Sequence, residues 1–305
     1  MQQLTNLQLW LQHNLSEQLR QPVLEDHIRT LRQITEQDLE LDPIDGSAKI
    51  KQEVAKDRRV SIEDKDIRHG RKTKSKRFNG YKRHVAADLD TKLILSVAVE
   101  PANVPEEQAV PSLAKDIESQ GLQIDELFID RGFINASLVD EILEREGVVI
   151  CRPWLARNGQ YFGKRDFQLD LSNETITCPG GEVQPIILGR TVKFPAEKCA
   201  ACPFRAKCTP GRLDCGRSVS IAHNEALQQK LREAASSASR RAQLRQRVPI
   251  EHLQVHTCAR QGRKARYRGW RNNLFDLRRA AAVTNLQLIQ RCLDDNSKTN
   301  LAHAA

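Results

Sequence analysis

The stretch ELFIDRGF, residues 126–133, carries the pattern from which the fold class is inferred. Its apolar run LFI (127–129) is typical of a buried strand, and the strand that we predict over residues 124–130 ends at a carboxylate, Asp130. Proteins of the α/β class place their functional sites at the carboxyl ends of such strands. Asp130 is therefore a candidate site residue; the alternative is that it only ends the strand or caps the next helix.

The elements around this strand alternate between strands and helices. The segments GYKRHVAAD (80–88) and KLILSVAV (92–99) flank a short acidic turn, which predicts a β-hairpin. The sequence then predicts, in order, helix 107–120, strand 124–130, helix 135–146 and strand 147–151. This order indicates an α/β fold.

The flanking regions differ in character. Leucines at helical spacing predict a helical pair near the N-terminus, and residues 41–57 resemble a linker. Residues 152–222 contain cysteines, Pro, Gly and short alternating segments, which predicts a small β-rich insertion. Residues 224–257 are strongly helical, and the last twelve residues are expected to be disordered. Residues 272–293 predict an amphipathic helix whose apolar side carries Leu274, Leu277, Ala281, Leu288 and Cys292.

A second carboxylate with basic neighbours occurs in RVPIEHLQVH, residues 247–256. Arg247 and Glu251 are four residues apart, so on a helix they share one face. Carboxylates that converge from distant segments hold divalent metal ions, and two such ions stabilise the attacking and leaving oxygens in phosphoryl transfer. If Asp130 and Glu251 form such a site, their carboxyl groups should approach to roughly 4–8 Å.

The charge of the chain favours a polyanionic partner. The 305 residues carry a net charge of +9, with 39% hydrophobic and 29% charged residues. Residues 68–83 contain eight Lys or Arg and no acid, and residues 260–279 contain eight and one acid. Both blocks are interleaved with aromatic residues, which favours contact with nucleic-acid phosphates over a solvated face. The sequence contains no apolar run that would span a membrane and no signal peptide, so we expect a cytoplasmic protein.

Several segments, in order, resemble the blocks of bacterial insertion-sequence transposases with an RNase H-like DDE domain. FIDRGF (128–133) resembles the family's DxGY/F block, and Arg247–Glu251 resembles the core of its signature around the last acid. NGYKRHVAADLDT (79–91) with VEPANVPEEQ (99–108) resembles the block that contains GYK and VxPAN. Two further blocks, RVSIEDKDIRHGRK and RKARYRGWRNNLFDLRRAAAVTNL, also resemble the family, and the resemblance covers residues 42–293.

This resemblance implies both a fold and a chemistry. The implied fold is an RNase H-like mixed sheet with flanking helices, interrupted by the Cys-rich β insertion. The implied activity is cutting and joining of DNA strands with two Mg²⁺ (or Mn²⁺) ions, for which Asp130 and Glu251 are the catalytic metal ligands. The residues expected to contact DNA are Arg71, Lys72, Lys74, Lys76, Arg131, Arg247, Arg263 and Arg268.

The chain departs from the family pattern in two places. Leu244 and Cys258 stand where the signature often has a Tyr and a Lys, and Arg260 or Arg263 is the candidate replacement for that Lys. The family's first catalytic Asp lies on a strand before RVSIED, and no predicted strand there ends in an Asp. We therefore expect a chain that begins partway through its gene and is catalytically incomplete. The available acids are poor substitutes: Asp42, Asp45, Asp64 and Asp88.

The cysteines suggest a second metal. Four of the eight cysteines follow a C-x20-C-x2-C-x5-C pattern that can build a tetrahedral Zn²⁺ site, and the insertion of related transposases carries similar cysteines. They are Cys178, Cys199, Cys202 and Cys208. The alternatives are that Cys215 replaces one of them or that all four are reduced surface cysteines. Cys151, Cys258 and Cys292 are expected in the apolar core.

These observations predict five segments and one family of functions. The segments are a helical N-terminal part with linker (1–57), the first part of the core (58–151), the Cys-rich insertion with its zinc site (152–223), the C-terminal core helices (224–293) and the tail (294–305). The expected function is that of a DNA transposase acting on terminal repeats and target DNA, associated with the nucleoid, with a homodimer left open. The alternatives are a nuclease of the same fold or an inactive DNA-binding remnant.

Overall fold

The computed structural model describes residues 2–15, 17, 21–42, 47–52, 55, 57–73, 75–154, 156, 158–235, 237–262 and 264–303. Contacts between residues divide the chain into two compact units. The first consists of Met1–Pro105 and His252–Ala305, and the second is Glu106–Glu251. The two catalytic candidates, Asp130 and Glu251, both belong to the second unit.

The described residues of the first unit include two N-terminal helices, two small antiparallel sheets, most of a helix at residues 248–261 and a long C-terminal helix. The elements before residue 105 are α1 (Gln2–Asn14), α2 (Pro22–Asp38), β1 (Leu39–Leu41), β2 (Ala48–Ile50), β3 (Arg68–Arg71), β4 (Arg77–Ala87) and β5 (Ile94–Pro101). Strand β1 pairs with β2, and β3, β4 and β5 form a three-stranded sheet in that order. The predicted linker 41–57 therefore includes β2.

The β4–β5 hairpin confirms the prediction made for residues 80–99. Its turn forms because the Asp88 carboxylate accepts hydrogen bonds from the backbone N–H and the hydroxyl of Thr91, at 2.7 and 2.6 Å. Lys92 completes the reversal in the left-handed region, with φ of 63°. Asp88 therefore has a structural role in this turn.

One face of the hairpin packs against the C-terminal helix of the same unit. Helix α10 (Trp270–His303) buries Leu277 and Ala281 against Val97 and Val99 of β5. Leu274 and Leu288 pack partly against this core, as predicted, whereas Cys292 is exposed and was wrongly expected inside. The helix also continues to His303, through residues expected to form a disordered tail.

A buried acid anchors the start of α10. Asp64, only 5% exposed, accepts hydrogen bonds from the hydroxyl of Tyr81 at 2.7 Å and from the backbone N–H of Gly269 at 3.1 Å. Asp66 accepts from the N–H of Trp270 at 3.3 Å. Acids at a helix N-terminus satisfy free N–H groups and suit the helix dipole. Asp64 is therefore a structural residue of the first unit.

The second unit begins with a β-α-β arrangement that positions Asp130. Strand β6 pairs in parallel with β7, and Phe128 lies opposite Ile150. Apolar residues of the connecting helix and of the preceding one form a core that includes Val110, Val139 and Val149. The elements are a 3₁₀ helix (Glu106–Ala109), α3 (Val110–Glu118), β6 (Glu126–Ile129), a 3₁₀ helix (Arg131–Phe133), α4 (Ser137–Glu144) and β7 (Val148–Cys151). These elements confirm the predicted strands and helices of residues 107–151.

The segment after β7 forms two small antiparallel sheets around their own apolar core. Strands β8, β9 and β10 make one sheet and β11 and β12 the other, with Ile176, Phe194 and Val219 buried among them. The elements are a 3₁₀ helix (Lys164–Asp166), β8 (Gln168–Asp170), β9 (Thr175–Thr177), β10 (Val183–Pro185), β11 (Thr191–Lys193), α5 (Ala196–Ala200), α6 (Arg205–Cys208) and β12 (Ser218–Ser220). The described part of this segment thus combines five short strands with short helices.

Three helices replace the single one predicted over residues 224–257. They are α7 (Glu225–Ala234), α8 (Ala238–Arg245) and α9 (Val248–Gln261), and the first turn of α9 belongs to the second unit. Ser237 caps α8 by accepting a hydrogen bond from the N–H of Arg240 at 3.1 Å. Pro249 requires a fresh start for α9, because proline fits the first turn of a helix and not its interior.

The strands of the described residues form several small sheets. The ladders of the described residues make five sheets of two or three strands, and the parallel pair β6–β7 is one of them. The structure is thus mixed α/β. None of the helices in the described part of the chain is long and apolar enough to cross a membrane.

Candidate active site

Asp130 lies at the point where β6 ends. Its backbone is still extended, with φ of −80° and ψ of 160°, and the next three residues turn into a 3₁₀ helix. The side chain projects into solvent and is 69% exposed. The carboxylate is thus exposed at the end of a partly buried strand, where a ligand could reach it.

Gly132 leaves room for a close side-chain approach and has no unusual backbone angle. A Cβ at this position would lie 2.1 Å from a carboxylate oxygen of Glu106 and 3.0 Å from its Cδ. The φ of Gly132 is not in the left-handed region, and the chain turns here through the 3₁₀ helix Arg131–Phe133. Its role is to let the Glu106 side chain approach the backbone beside Asp130.

Arg247 brings the two candidate acids together. Its Nη2 atom lies 2.7 Å from Asp130 Oδ1 and 3.0 Å from Glu251 Oε1. Its Nη1 atom donates to the backbone carbonyl of Ile129 at 2.8 Å. Because both carboxylate oxygens contact the same nitrogen at 2.7 and 3.0 Å, they can be no further apart than about 5.7 Å, the sum of these distances. The expected convergence of Asp130 and Glu251 is therefore present.

The guanidinium of Arg247 is engaged inside the protein. Its side chain is 14% exposed, whereas that of Glu251 is 60% exposed. Burial acts to lower the pKa of Arg247, but the hydrogen bonds and charges of Glu251 and Asp130 outweigh it and raise this pKa. Arg247 was expected to point toward DNA phosphates; its donors instead hold the two acids and the end of β6.

The donor set at this site contains two carboxylates. Mg²⁺ binds proteins through one or two carboxylates and completes its shell with water and substrate phosphates. Asp130 and Glu251 fit that requirement for one ion. Among the described residues, no three His, Cys, Asp or Glu side chains are grouped as a metal centre would need. A second ion at this site would need oxygen ligands beyond these two carboxylates.

The other acids considered for the missing ligand have partners of their own in the first unit. Asp64 and Asp88 hold the α10 start and the hairpin turn, as described above. Asp42 directly follows β1 and pairs with Lys49, so a short strand there does end at an Asp, contrary to the sequence prediction. Asp45 lies outside the described residues.

An aromatic residue that the sequence analysis did not single out lies beside this edge. The guanidinium carbon of Arg131 is 5.2 Å from the centre of the Trp154 ring, and this tryptophan is 51% exposed. Arg131 thus stacks on an aromatic face next to Asp130. The available signal was an aromatic residue shortly after strand β7. Cys151, at the end of β7, is buried as expected, and burial raises the pKa of its thiol to about 11.

The remaining basic candidates lie in the first unit. Arg71, Lys72 and Lys76 are exposed at the turn between β3 and β4. Lys74 and Arg263 lie outside the described residues. Arg268 is exposed and pairs with Glu63.

The cation expected to replace the family's Lys after Glu251 is not evident. Arg260 donates to the amide oxygen of Gln287. The other candidate for this role, Arg263, lies outside the described residues.

The four zinc candidates approach one another beside the apolar core of strands β8–β12. The position that a Cβ would take on Gly180 is 2.9 Å from Cys202 Sγ and 3.6 Å from Cys178 Sγ, so these sulfurs are at most about 6.5 Å apart. Burial raises the pKa of the Cys208 thiol, and the nearby Cys199, Cys178 and Cys202 add to this effect. Cys215 is exposed. The sulfurs are neighbours, but they are not grouped as tetrahedral ligation requires.

Comparison with known proteins identifies one family. The family model described as "Transposase DDE domain" matches residues 54–286. No curated protein and no solved structure matches the sequence. The match confirms the resemblance inferred from FIDRGF and the other sequence blocks. Because it covers well over half of the 305 residues, this chain belongs to the transposase DDE domain family.

Proposed function

We propose that this protein acts in DNA transposition and holds a divalent metal ion between Asp130 and Glu251 for phosphoryl transfer on DNA. The observation that carries the proposal is the meeting of two exposed carboxylates, from distant segments, on the single guanidinium of Arg247. Exposed acids rarely converge without a counter-charge, because like charges repel at this distance. The family membership supplies DNA as the partner.

The residues of the site have distinct roles in this proposal. When bound, a divalent ion polarises the phosphate and stabilises the attacking and leaving oxygens. Asp130 and Glu251 hold that ion, because carboxylates are the protein ligands that Mg²⁺ and Mn²⁺ prefer. Arg247 balances both acids before metal binding and, through its bond to the Ile129 carbonyl, fixes their direction. Arg247 is therefore a positioning residue.

Two-metal chemistry needs ligands beyond this pair. We propose that a second ion, in the RNase H-like arrangement typical of the family, uses substrate phosphate and a third carboxylate that the described site does not contain. By itself, the described site then binds metal without completing the reaction. This expectation keeps the inactive DNA-binding remnant as a second candidate function. A nuclease of the same fold has no observation that favours it.

We propose that basic residues make the contacts with DNA. The exposed cations at the β3–β4 turn present positive charge without neighbouring acids in that stretch. Such charges bind the phosphate backbone independently of base sequence. The residues proposed to contact terminal repeats and target DNA are Arg71, Lys72, Lys74, Lys76, Arg131, Arg263 and Arg268. A cytoplasmic, nucleoid-associated location follows from this partner, and a homodimer would bring two DNA ends together.

We also propose a structural zinc ion in the Cys-rich insertion. The neighbouring sulfurs of Cys178 and Cys202, and the influence of three cysteines on the pKa of Cys208, support a shared thiolate site. Small β-rich segments of this kind gain stability from metal ligation. In the described geometry the ligands would need to close further around the ion.

Binding of Mn²⁺ to the purified chain, followed by electron paramagnetic resonance, tests the proposed catalytic site. We expect Asp130→Asn and Glu251→Gln each to weaken binding at least roughly tenfold, because each removes a charged ligand. Glu126→Gln is the matched control, since it removes an exposed acid from the opposite end of the same strand. Equal binding by all four proteins would overturn the proposal.

A further inference from the structure

An open cleft in the second unit lies apart from the acids of the proposed site. Its volume is about 470 Å³, and it lies between the residues after β7, strand β12 and helix α7. Cavities that bind small ligands have volumes of about this size. The lining residues that matter here are Trp154, Lys164, Arg217, Glu225, Gln228 and Arg232.

The cleft contains more positive than negative charge. Glu225, which is fully buried, accepts hydrogen bonds from Lys164, from Arg232 and from the N–H of Ala222. Lys164 and Arg232 are themselves only 18% and 12% exposed. Arg217 adds a third cation to the lining. Three cations against one carboxylate leave an excess of two positive charges in a half-buried space, which favours an anionic ligand.

A buried amide points to the same kind of ligand. Gln228 is 1% exposed, and its Oε1 atom accepts a hydrogen bond from the backbone N–H of Trp154 at 3.2 Å. Its Nε2 atom is buried and has no hydrogen-bond partner among the described residues. Leaving such a donor unsatisfied is costly, so buried donors nearly always have an acceptor. An oxygen of a bound ligand would supply it.

The salt bridges of Glu225 also have a purely structural reading. Lys164, Glu225 and Arg232 tie the β-rich segment to helix α7, and this tie needs no ligand. It leaves two features unexplained, the unbalanced cations and the unused donor of Gln228. Burial lowers the pKa of Lys164, and Glu225 does not fully offset this effect.

We infer that this cleft binds a phosphate group carried by a DNA strand, with Gln228 Nε2, Lys164 and Arg232 as donors. A phosphate has several strong acceptor oxygens and the negative charge that the cleft lacks. The choice of DNA as its source rests on the proposed function. Trp154, at the rim of the cleft, stacks with Arg131, the residue next to Asp130, so a strand held here would lead toward the proposed metal site.

Tryptophan fluorescence of the full chain provides the test. The chain has three tryptophans, so Trp10→Phe with Trp270→Phe leaves Trp154 as the reporter. This protein is titrated with a short single-stranded DNA oligonucleotide, with inorganic phosphate and with chloride at matched ionic strength. We expect a saturable change with the oligonucleotide that inorganic phosphate competes away, and no saturable change with chloride.

Variants connect the signal to the cleft. Gln228→Leu should weaken oligonucleotide binding roughly tenfold, because it removes a buried hydrogen bond to a charged group. Arg232→Lys keeps the positive charge but loses the planar guanidinium, so it should also weaken oligonucleotide binding. It replaces Gln228→Leu in the test if that variant does not fold. Lys230→Gln, on the exposed side of α7, is the matched control and should bind normally.

Three outcomes would overturn the inference. They are the absence of saturable oligonucleotide binding, a saturable change with inorganic phosphate but none with the oligonucleotide, and an equal effect of Lys230→Gln and Gln228→Leu. Mn²⁺ binding to Gln228→Leu is measured in parallel and should equal that of the wild type. Failure of the cleft and failure of the Asp130–Glu251 metal site are thereby distinguished.

Discussion

The Asp130 and Glu251 carboxylates contact one nitrogen atom, Nη2 of Arg247, at 2.7 and 3.0 Å. The three side chains form a compact unit in which a single positive charge faces two negative ones. Such an arrangement carries a net negative charge and attracts a further cation. It also makes Arg247 a competitor for any metal ion that these acids bind.

Replacing Arg247 by Ala tests this competition. We expect Mn²⁺ to bind several-fold more tightly, because a positive charge about 3 Å from both ligands is removed. Without metal, the free energy of unfolding should fall by about 1–2 kcal/mol, mainly through loss of the bond to the Ile129 carbonyl, since the exposed ion pairs contribute little. Metal titration and denaturant unfolding measure both effects.

Arg245→Ala provides the control for this substitution, because Arg245 is an exposed cation at the end of α8. Arg245→Ala should change neither the affinity for Mn²⁺ nor the free energy of unfolding appreciably. Weaker Mn²⁺ binding by Arg247→Ala would mean that orientation by Arg247 outweighs its charge.

DNA binding should weaken steeply with salt. Each phosphate contact contributes about 0.9 to the slope of log K against log salt concentration. Replacing the four Lys and Arg residues of positions 71–76 by Ala should lower both the affinity and this slope; they are Arg71, Lys72, Lys74 and Lys76. The control removes four exposed cations of the Cys-rich segment: Arg190, Lys193, Lys198 and Arg212. Equal slopes for the wild type and the first variant would exclude the turn as a DNA contact.

The zinc proposal predicts about one zinc ion per chain in reduced protein, because four thiolates complete one tetrahedral site. Elemental analysis measures the metal content. Cys202→Ser should lose the metal and lower the melting temperature, since metal binding contributes to folding. Cys215→Ser, a change at an exposed cysteine, should retain both. Metal-free protein with an unchanged melting temperature in chelator would show that the cysteines are simply reduced.

The sequence predicted local elements better than their assembly. The β4–β5 hairpin and the strands around Asp130 have strong apolar periodicity, so their existence could be predicted. The division of residues 224–257 into three helices was missed, although Pro249 provided a signal for the last break. The exposure of Cys292 depends on which face of α10 meets β5, and composition alone does not determine this.

The candidate site was also predicted only in part from the sequence. The resemblance identified Asp130 and Glu251, and the i, i+4 spacing placed Arg247 beside Glu251. That Arg247 also binds Asp130 and the Ile129 carbonyl follows from tertiary packing, which spacing does not encode. The cleft around Gln228 was missed for a similar reason, because its residues come from three separate segments.

His84 should make stability dependent on pH. Burial, helped by the charge of Lys82, lowers the pKa of this histidine from 6.5 to about 4. Between pH 6.5 and about 4, His84 is therefore protonated in the unfolded chain and neutral in the folded chain. The free energy of unfolding consequently falls as the pH drops through this range. The loss attributable to His84 should total about 3 kcal/mol. In His84→Gln, the free energy of unfolding should depend less on pH across this range. A pH profile identical to that of the wild type would exclude His84 as the cause.

The chain as it stands should not cleave DNA. Two-metal phosphoryl transfer needs enough carboxylate oxygens to hold both ions, and the described site brings together two carboxylates. We therefore expect the purified chain to bind Mn²⁺ and DNA without cutting a DNA strand in Mg²⁺ or Mn²⁺. The measurement is a gel assay of labelled duplex over hours, with Asp130→Asn and Glu126→Gln in parallel. Cleavage that survives Glu126→Gln and disappears in Asp130→Asn would contradict this prediction, because it would show that the chain supplies the remaining ligands itself.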